Sequence, residues 1–210
     1  MFCDISKYFD SDDILSISNE SFEDYKSRYA LLGIDKDVSY VPMAFIDEYC
    51  VNILKMCNEE LTFEEIGYKL VESLNKTTNY KFGENRSKLL IQLGLLRVVK
   101  VNPVRVVLSD SGMLLLNHPS DFIINYMTRL TAYLPIIHNV LLAGEKGEVD
   151  LDSFMPSFIT GSSIKRRHSS IKHILEDIEG VYSKCVVCCN QKSNDDELIN
   201  DFPTDCSDES

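Results

Sequence analysis

"GENRSKLLIQLGLLRVVKVNPVRVVLSDSG", residues 83–112, contains in order a basic helix start, an apolar helix, two valine-rich runs and a stop built of small residues. Leu89, Leu90 and Leu93 recur at helical spacing, and Gly94 can close the last turn in a left-handed conformation. "LLRVVKV" at 95–101 and "VRVVLS" at 104–109 are β-branched runs on either side of Asn102-Pro103, a turn pair, so they predict a hairpin. "DSGMLLLNH", 110–118, predicts a short helix whose Ser/Asp start supplies the cap.

Upstream, "MAFIDEYCVNILKMC" at 43–57 places Phe45, Ile46, Tyr49, Ile53, Leu54 and Cys57 on one helical stripe. "LTFEEIGYKLVESLN", 61–75, predicts a second helix: Thr62 and Glu65 fit a capping box, and Phe63, Ile66, Leu70 and Leu74 keep the helical period. A Thr78-Asn79 turn should separate it from the third helix. Three helices followed by a hairpin make a winged helix. Residues 11–33, with scattered apolar residues and good helix formers, predict one loosely held helix ahead of this unit.

The second half repeats the order less cleanly. "DFIINYMTRLTAYLPIIHNVLLAG", 121–144, puts Phe122, Ile123, Tyr126, Leu130 and Tyr133 on one face, and Pro135 should kink or divide the helix. "VDLDSFMPSFI" at 149–159 predicts a short second helix, "SSIKRRHSSIKHILEDI" at 162–178 a third, and "GVYSKCVVCCN" at 180–190 at least one strand. Both third helices open with bases and turn apolar, which suggests a degenerate duplication. The expected fold class is mainly α with small β hairpins, α+β, as a tandem winged helix-turn-helix. Its expected divisions are an acidic N-terminal segment 1–40, a first winged helix 41–118, a connecting helix with a second winged-helix-like unit 119–190, and a disordered acidic tail 191–210.

Charge is distributed unevenly. The net charge is -12, with nine acids against four bases in residues 1–40 and seven acids against Lys192 alone in residues 191–210. Between Lys81 and Arg105, by contrast, six bases face only Glu84, and residues 163–173 hold four bases, two histidines and no acid. Such islands suit phosphate or an acidic partner, and each also suits a solvated face that offsets nearby acids. The longest apolar runs fall far short of the ~20 residues of a membrane span, and Asp4, Lys7 and Asp10 stand where a leader would be apolar. The expectation is therefore a cytoplasmic protein without membrane contact. An odd count of seven cysteines, several inside apolar patterns, predicts buried thiols in a reducing compartment.

"FGENRSKLLIQLGLL", the hairpin and "VLSDSGMLLL" together resemble the winged-helix modules of prokaryotic restriction, anti-phage defence and regulatory proteins. In those modules a basic, Asn-containing helix precedes "LGLL", a wing and a Thr/Ser-x-x-Gly helix. "SSIKRRHSSIKHIL" resembles a second such module, so the likeness covers about residues 43–190. It implies tandem winged helices of prokaryotic or viral type, with the start of each third helix nearest to DNA. The carboxylate and lysine core of a nuclease is not visible in the sequence.

These expectations converge on a binding protein. Asn85, Arg86 and Lys88 would read bases in the major groove, although Asn85 would serve equally as a helix cap. Lys100 and Arg105, with Asn102 at the wing tip, would position the wing on phosphates; Lys165, Arg166, Arg167 and Lys172 would serve in the second unit, with His168 a phosphate contact. The expected function is a non-enzymatic regulator or DNA-recognition subunit of a defence-type complex, binding double-stranded DNA. A net charge of -12 opposes duplex binding, so the alternative is an acidic adaptor docked on a larger ATPase or nuclease complex, and exposed wing residues Val98 and Val104 would favour it. A homodimer is compatible with either. "CVVCC", 185–189, has Cys-x-x-Cys spacing without a matching second pair, so neither metal nor cofactor is expected; His138 reads as a satisfied core histidine.

Overall fold

A computed structural model describes residues 5–10, 12–34, 40–71, 76–147 and 149–183. The helices are α1 (Asp13–Asn19), α2 (Phe22–Leu32), α3 (Glu48–Met56), α4 (Phe63–Leu70), α5 (Lys76–Gln92), α6 (Asp110–Leu115), α7 (Ser120–Ala132), α8 (Pro135–Gly144) and α9 (Ser162–Tyr182). The strands are β1 (Leu61–Thr62), β2 (Leu96–Val101) and β3 (Val104–Leu108), and single 3-10 turns lie at Ile5–Tyr8 and Leu151–Phe154. Among the described residues the protein is mainly helical, with one small antiparallel sheet, an α+β fold.

The hairpin at 96–108 turns at Asn102-Pro103 and pairs Leu96 with Leu108 and Val98 with Val106. A shift in register between Val98 and Lys100 breaks the in-out alternation of β2. Leu96, Val106 and Leu108 are consequently buried, while Arg97, Val98, Lys100 and Val101 are exposed. β1 adds to the other side of β3 through Leu61 and Val106, so the sheet order is β1-β3-β2 and β2 is an edge.

Capping chemistry sets the helix starts. Thr62 and Glu65 form a reciprocal capping box, and the Ser109 hydroxyl accepts from the Gly112 N–H. Gly94 closes the turn after α5 with φ +74°. The helix expected from residue 43 begins only at Glu48, because Asp47 caps it by accepting from the Cys50 N–H. Ile53, Leu54 and Cys57 are buried along its stripe, whereas Tyr49 is exposed.

The expected turn at Thr78-Asn79 lies instead inside α5, which begins at Lys76. Packing overrides local preference here. A Cβ on Gly67 would overlap the Asn79 carbonyl oxygen, and a Cβ on Gly83 would overlap that of Phe63, so α4 and α5 approach backbone to backbone at these two glycines. Leu89, Leu90 and Leu93 then point inward, as their spacing predicts.

The centre of the molecule is α7 and α8. Pro135 divides them, occupying the first turn of α8 where its missing N–H leaves no bond unmade. Every residue from Tyr126 to His138 is buried, and α7 packs against α1, α3, α8 and α9. The stretch expected as one loosely held helix at 11–33 is two helices, broken at Glu20–Ser21 by a capping box between Ser21 and Asp24. It is not loosely held: Ile14, Ile17, Phe22, Tyr25 and Tyr29 join the same apolar core as Ile171 and Ile178 of α9.

Buried polar groups bind these elements together. The Glu20 carboxylate accepts from the Tyr133 hydroxyl at 2.8 Å, the Tyr182 hydroxyl at 2.9 Å and Arg28 Nε at 3.2 Å. Arg129 of α7 donates to the Glu20 carbonyl at 2.5 Å and to the Val181 carbonyl at 2.8 Å. The Tyr25 hydroxyl lies 2.8 Å from the Ala132 carbonyl and 2.6 Å from His138 Nδ1. One arrangement satisfies both: Nδ1–H donates to the tyrosine oxygen and the hydroxyl donates to the carbonyl.

The region expected as a second winged unit departs from that pattern. Its short second helix is one 3-10 turn, Leu151–Phe154; its third helix is present as α9 and extends to Tyr182. Among the described residues no second hairpin accompanies them. The strand expected at 180–190 falls mostly outside the described residues, and the tail at 191–210 lies wholly outside them.

Gly83→Ala should destabilise the protein by at least about 3 kcal/mol, because backbone rather than a flexible side chain must move to admit the methyl group. Chemical denaturation of wild type and variant measures it. A second expectation concerns pH. Burial raises the Glu20 carboxyl pKa above its ordinary value despite hydrogen bonds from Tyr133 and Tyr182 and the charge of Arg28. A raised carboxyl contributes stability fully below the unfolded-state pKa and loses it as pH rises through the folded value. The stability advantage of wild type over Glu20→Gln should therefore be largest near pH ~4 and shrink towards pH ~7, read from thermal midpoints at both; a constant difference would contradict a raised pKa.

Candidate nucleic-acid interface

Among the bases expected to meet DNA, Arg86 is the one most firmly committed to the fold. It donates from Nε and Nη2 to Asp47 Oδ2 at 3.1 and 2.5 Å, and its guanidinium lies 3.9 Å from the Phe82 ring centroid and 5.1 Å from that of Tyr49. Its side chain is only 13% exposed. Since Asp47 also caps α3, the contact locks the start of α3 to the middle of α5. A guanidinium forked onto a carboxylate and stacked on two rings is held far more firmly than an exposed ion pair.

Lys88 is also engaged, by Glu84 at 2.8 Å, and Lys81 reaches the other carboxylate oxygen at 2.6 Å. Burial opposes the charge on Glu84, but hydrogen bonds from both lysines hold its carboxyl below the ordinary value. Asn85 is half-buried, and because α5 begins nine residues earlier at Lys76, Asn85, Arg86 and Lys88 lie in the second half of the helix. Neither a helix cap nor the N-terminal turn is their position.

The wing divides by strand. Arg105 on β3 donates to the Glu60 carbonyl at 3.1 Å and lies 3.6 Å from Glu65. Lys100 on β2 and its neighbour Arg97 are exposed, with no ion pair among the described residues. Val98 and Val101 are 40% and 79% exposed on the same strand, and Val104 is half-buried.

On α9, Lys165 and Arg166 are exposed, while Arg167 and Lys172 are half-buried. Arg167 donates to the Ser163 hydroxyl at 2.5 Å. His168, expected as a phosphate contact, is buried, with Nε2 3.4 Å from Asp152 of the 3-10 turn; burial lowers its pKa and favours the neutral ring. Helical geometry explains the split, since positions 168, 171 and 175 form one buried stripe while 165 and 166 fall outside it.

Three groups in this region and the core were not legible as functional or structural sites in the sequence. Arg97 was visible only as one more base of the island. Glu20 carried no signal as a buried acid, although Ser21 and Asp24 three residues apart mark the helix break beside it. Gly67 and Gly83 looked like ordinary helix interiors.

No group of three or more His, Cys, Asp or Glu among the described residues could hold a metal ion. Burial pushes the Cys50 and Cys57 thiols up to about 12, so both stay protonated. "CVVCC" lies outside the described residues. No described helix is long and apolar enough to cross a membrane. Comparison with protein-family models, curated proteins and solved structures returns no match.

The geometry separates Arg86 from the other bases. Arg86→Ala should cost about 3 kcal/mol of stability, because it leaves a largely buried Asp47 carboxylate without its partner, whereas Arg97→Ala should change stability by less than about 0.5 kcal/mol. Urea midpoints of the two variants measure the contrast; equal midpoints would make Arg86 an ordinary surface base.

Proposed function

We propose that residues 48–108 form a winged helix and that the chain is a non-enzymatic adaptor, docking on a larger protein partner through its wing. The chain order α3-β1-α4-α5-β2-β3, with a sheet ordered β1-β3-β2, supports the winged-helix reading. The adaptor reading is carried by one observation: β2 is an edge strand on which the exposed Val98 and Val101 alternate with the exposed Arg97 and Lys100. An edge offers unpaired backbone groups, exposed valines reward burial against apolar side chains, and the flanking bases select an acidic partner. A phosphate backbone offers the valines nothing comparable.

The engagement of Arg86 with Asp47, and of Lys88 with Glu84, supports the same choice, since a duplex would have to compete with those carboxylates. A specific observation keeps double-stranded DNA as the second reading: Arg97, Lys100 and Arg166 have no ion pair among the described residues. Under that reading the protein is the DNA-recognition subunit of a defence-type complex or a regulator.

Anisotropy titrations of a ~30-bp duplex at about 50 and 200 mM salt distinguish them. The adaptor reading expects a Kd weaker than about 10 μM at the lower salt, unchanged in Arg97→Ala/Lys100→Ala. Submicromolar binding that the double variant weakens ~10-fold, with a salt slope reduced by about two, would replace it with the DNA reading. In its native cell, the adaptor should elute in a complex well above its own 23.9 kDa, and Val101→Asp should release it to its own size.

A further inference from the structure

We propose that the acidic tail of this chain docks along the outer edge of β2 and guards the wing until a partner displaces it. The proposal rests on the reading of β2 as a docking edge and adds its occupant. Three observations select the tail. The edge joins two exposed valines to Arg97 and Lys100, neither of which has an ion pair among the described residues. "DDELINDF", residues 195–202, has the complementary composition: Leu198, Ile199 and Phe202 set among Asp195, Asp196, Glu197 and Asp201. In an extended conformation Leu198 and Phe202 fall on one face, and Glu197 and Asp201 on the other.

The third observation is where the described chain ends. α9 finishes at Tyr182, and the 13 residues from Ser183 to Asp195 can span up to ~40 Å, against a radius of gyration of about 17 Å for a fold of this length. A tethered segment is present at an effective concentration of the order of millimolar, so a weak contact suffices to keep it seated. A second copy suits the edge less well: antiparallel pairing of β2 with β2 would bring Arg97 and Lys100 of one copy against those of the other. A partner carrying a stronger segment of the same acidic and apolar kind would displace the tail.

Hydrogen exchange on the full chain tests this. The comparison is wild type with two full-length variants, Asp195→Asn/Asp196→Asn/Glu197→Gln/Asp201→Asn in the tail and Arg97→Ala/Lys100→Ala on the wing. Amides 97–101 should exchange at least ~10-fold faster in both variants, and in wild type at about 0.5 M salt, with α7 unchanged. Equal exchange in wild type and the tail variant overturns the proposal. So does protection that survives in the tail variant and grows with protein concentration, which would assign the edge to a second copy. Failure here is distinct from failure of the adaptor reading: an unguarded edge with a complex still lost on Val101→Asp sinks only the tail, whereas a guarded edge with that complex intact sinks only the adaptor.

Discussion

The carboxylate of Glu20 is the point on which the architecture turns. It sits at the break between α1 and α2, where a helix end would ordinarily meet water, and is instead enclosed by the hydroxyls of Tyr133, just after α7, and Tyr182 of α9, and by Arg28. A buried carboxylate is costly unless its lone pairs are filled, and the groups that fill this one come from residues 133 and 182, far along the chain. Arg129 doubles the connection through the backbone carbonyls of Glu20 and Val181. The N-terminal helices, the central helix and the last helix are thereby held in one arrangement, which apolar packing alone would specify less sharply.

The three-helix and hairpin part depends on a different constraint, the contact of α4 and α5 through Gly67 and Gly83. Helices that approach backbone to backbone leave no room for rotation, so the faces of α5 are set. Phe82 and Arg86 turn towards α3, where Asp47 and Tyr49 receive the guanidinium, and Leu89 and Leu90 turn into the core. The strand that follows emerges at the sheet edge. Positive charge at residues 81–105 thus divides between a structural clasp, a lysine pair around Glu84 and an exposed strand.

Much of the local structure was legible before any tertiary contact was considered. The hairpin followed from two β-branched runs around Asn102-Pro103, the helix ends from Thr62 with Glu65 and from Gly94, and the division at Pro135 from its missing N–H. The candidate interface was less legible, because a charged side chain looks the same in sequence whether it faces water or a carboxylate. Arg86 and Lys100 belong to one basic island, yet one is clasped by a residue 39 positions away and the other is exposed.

Sequence by itself determined the hairpin around Asn102-Pro103, the capping box that starts α4, the close of α5 at Gly94, the division at Pro135, and that positive charge concentrates in two islands of an acidic chain. Those properties are local: capping, steric preference and periodicity act within a few residues. Only the tertiary structure decided that Thr78-Asn79 continues a helix, that the N-terminal segment enters the core, and that Arg86 faces inward while Val101 faces out. Each of these depends on a partner distant in the chain: Gly67 against Asn79, Tyr133 and Tyr182 around Glu20, Asp47 against Arg86. The free energy of such contacts exceeds the local preference they override, and periodicity or capping within one element does not show which residue of another element it will meet.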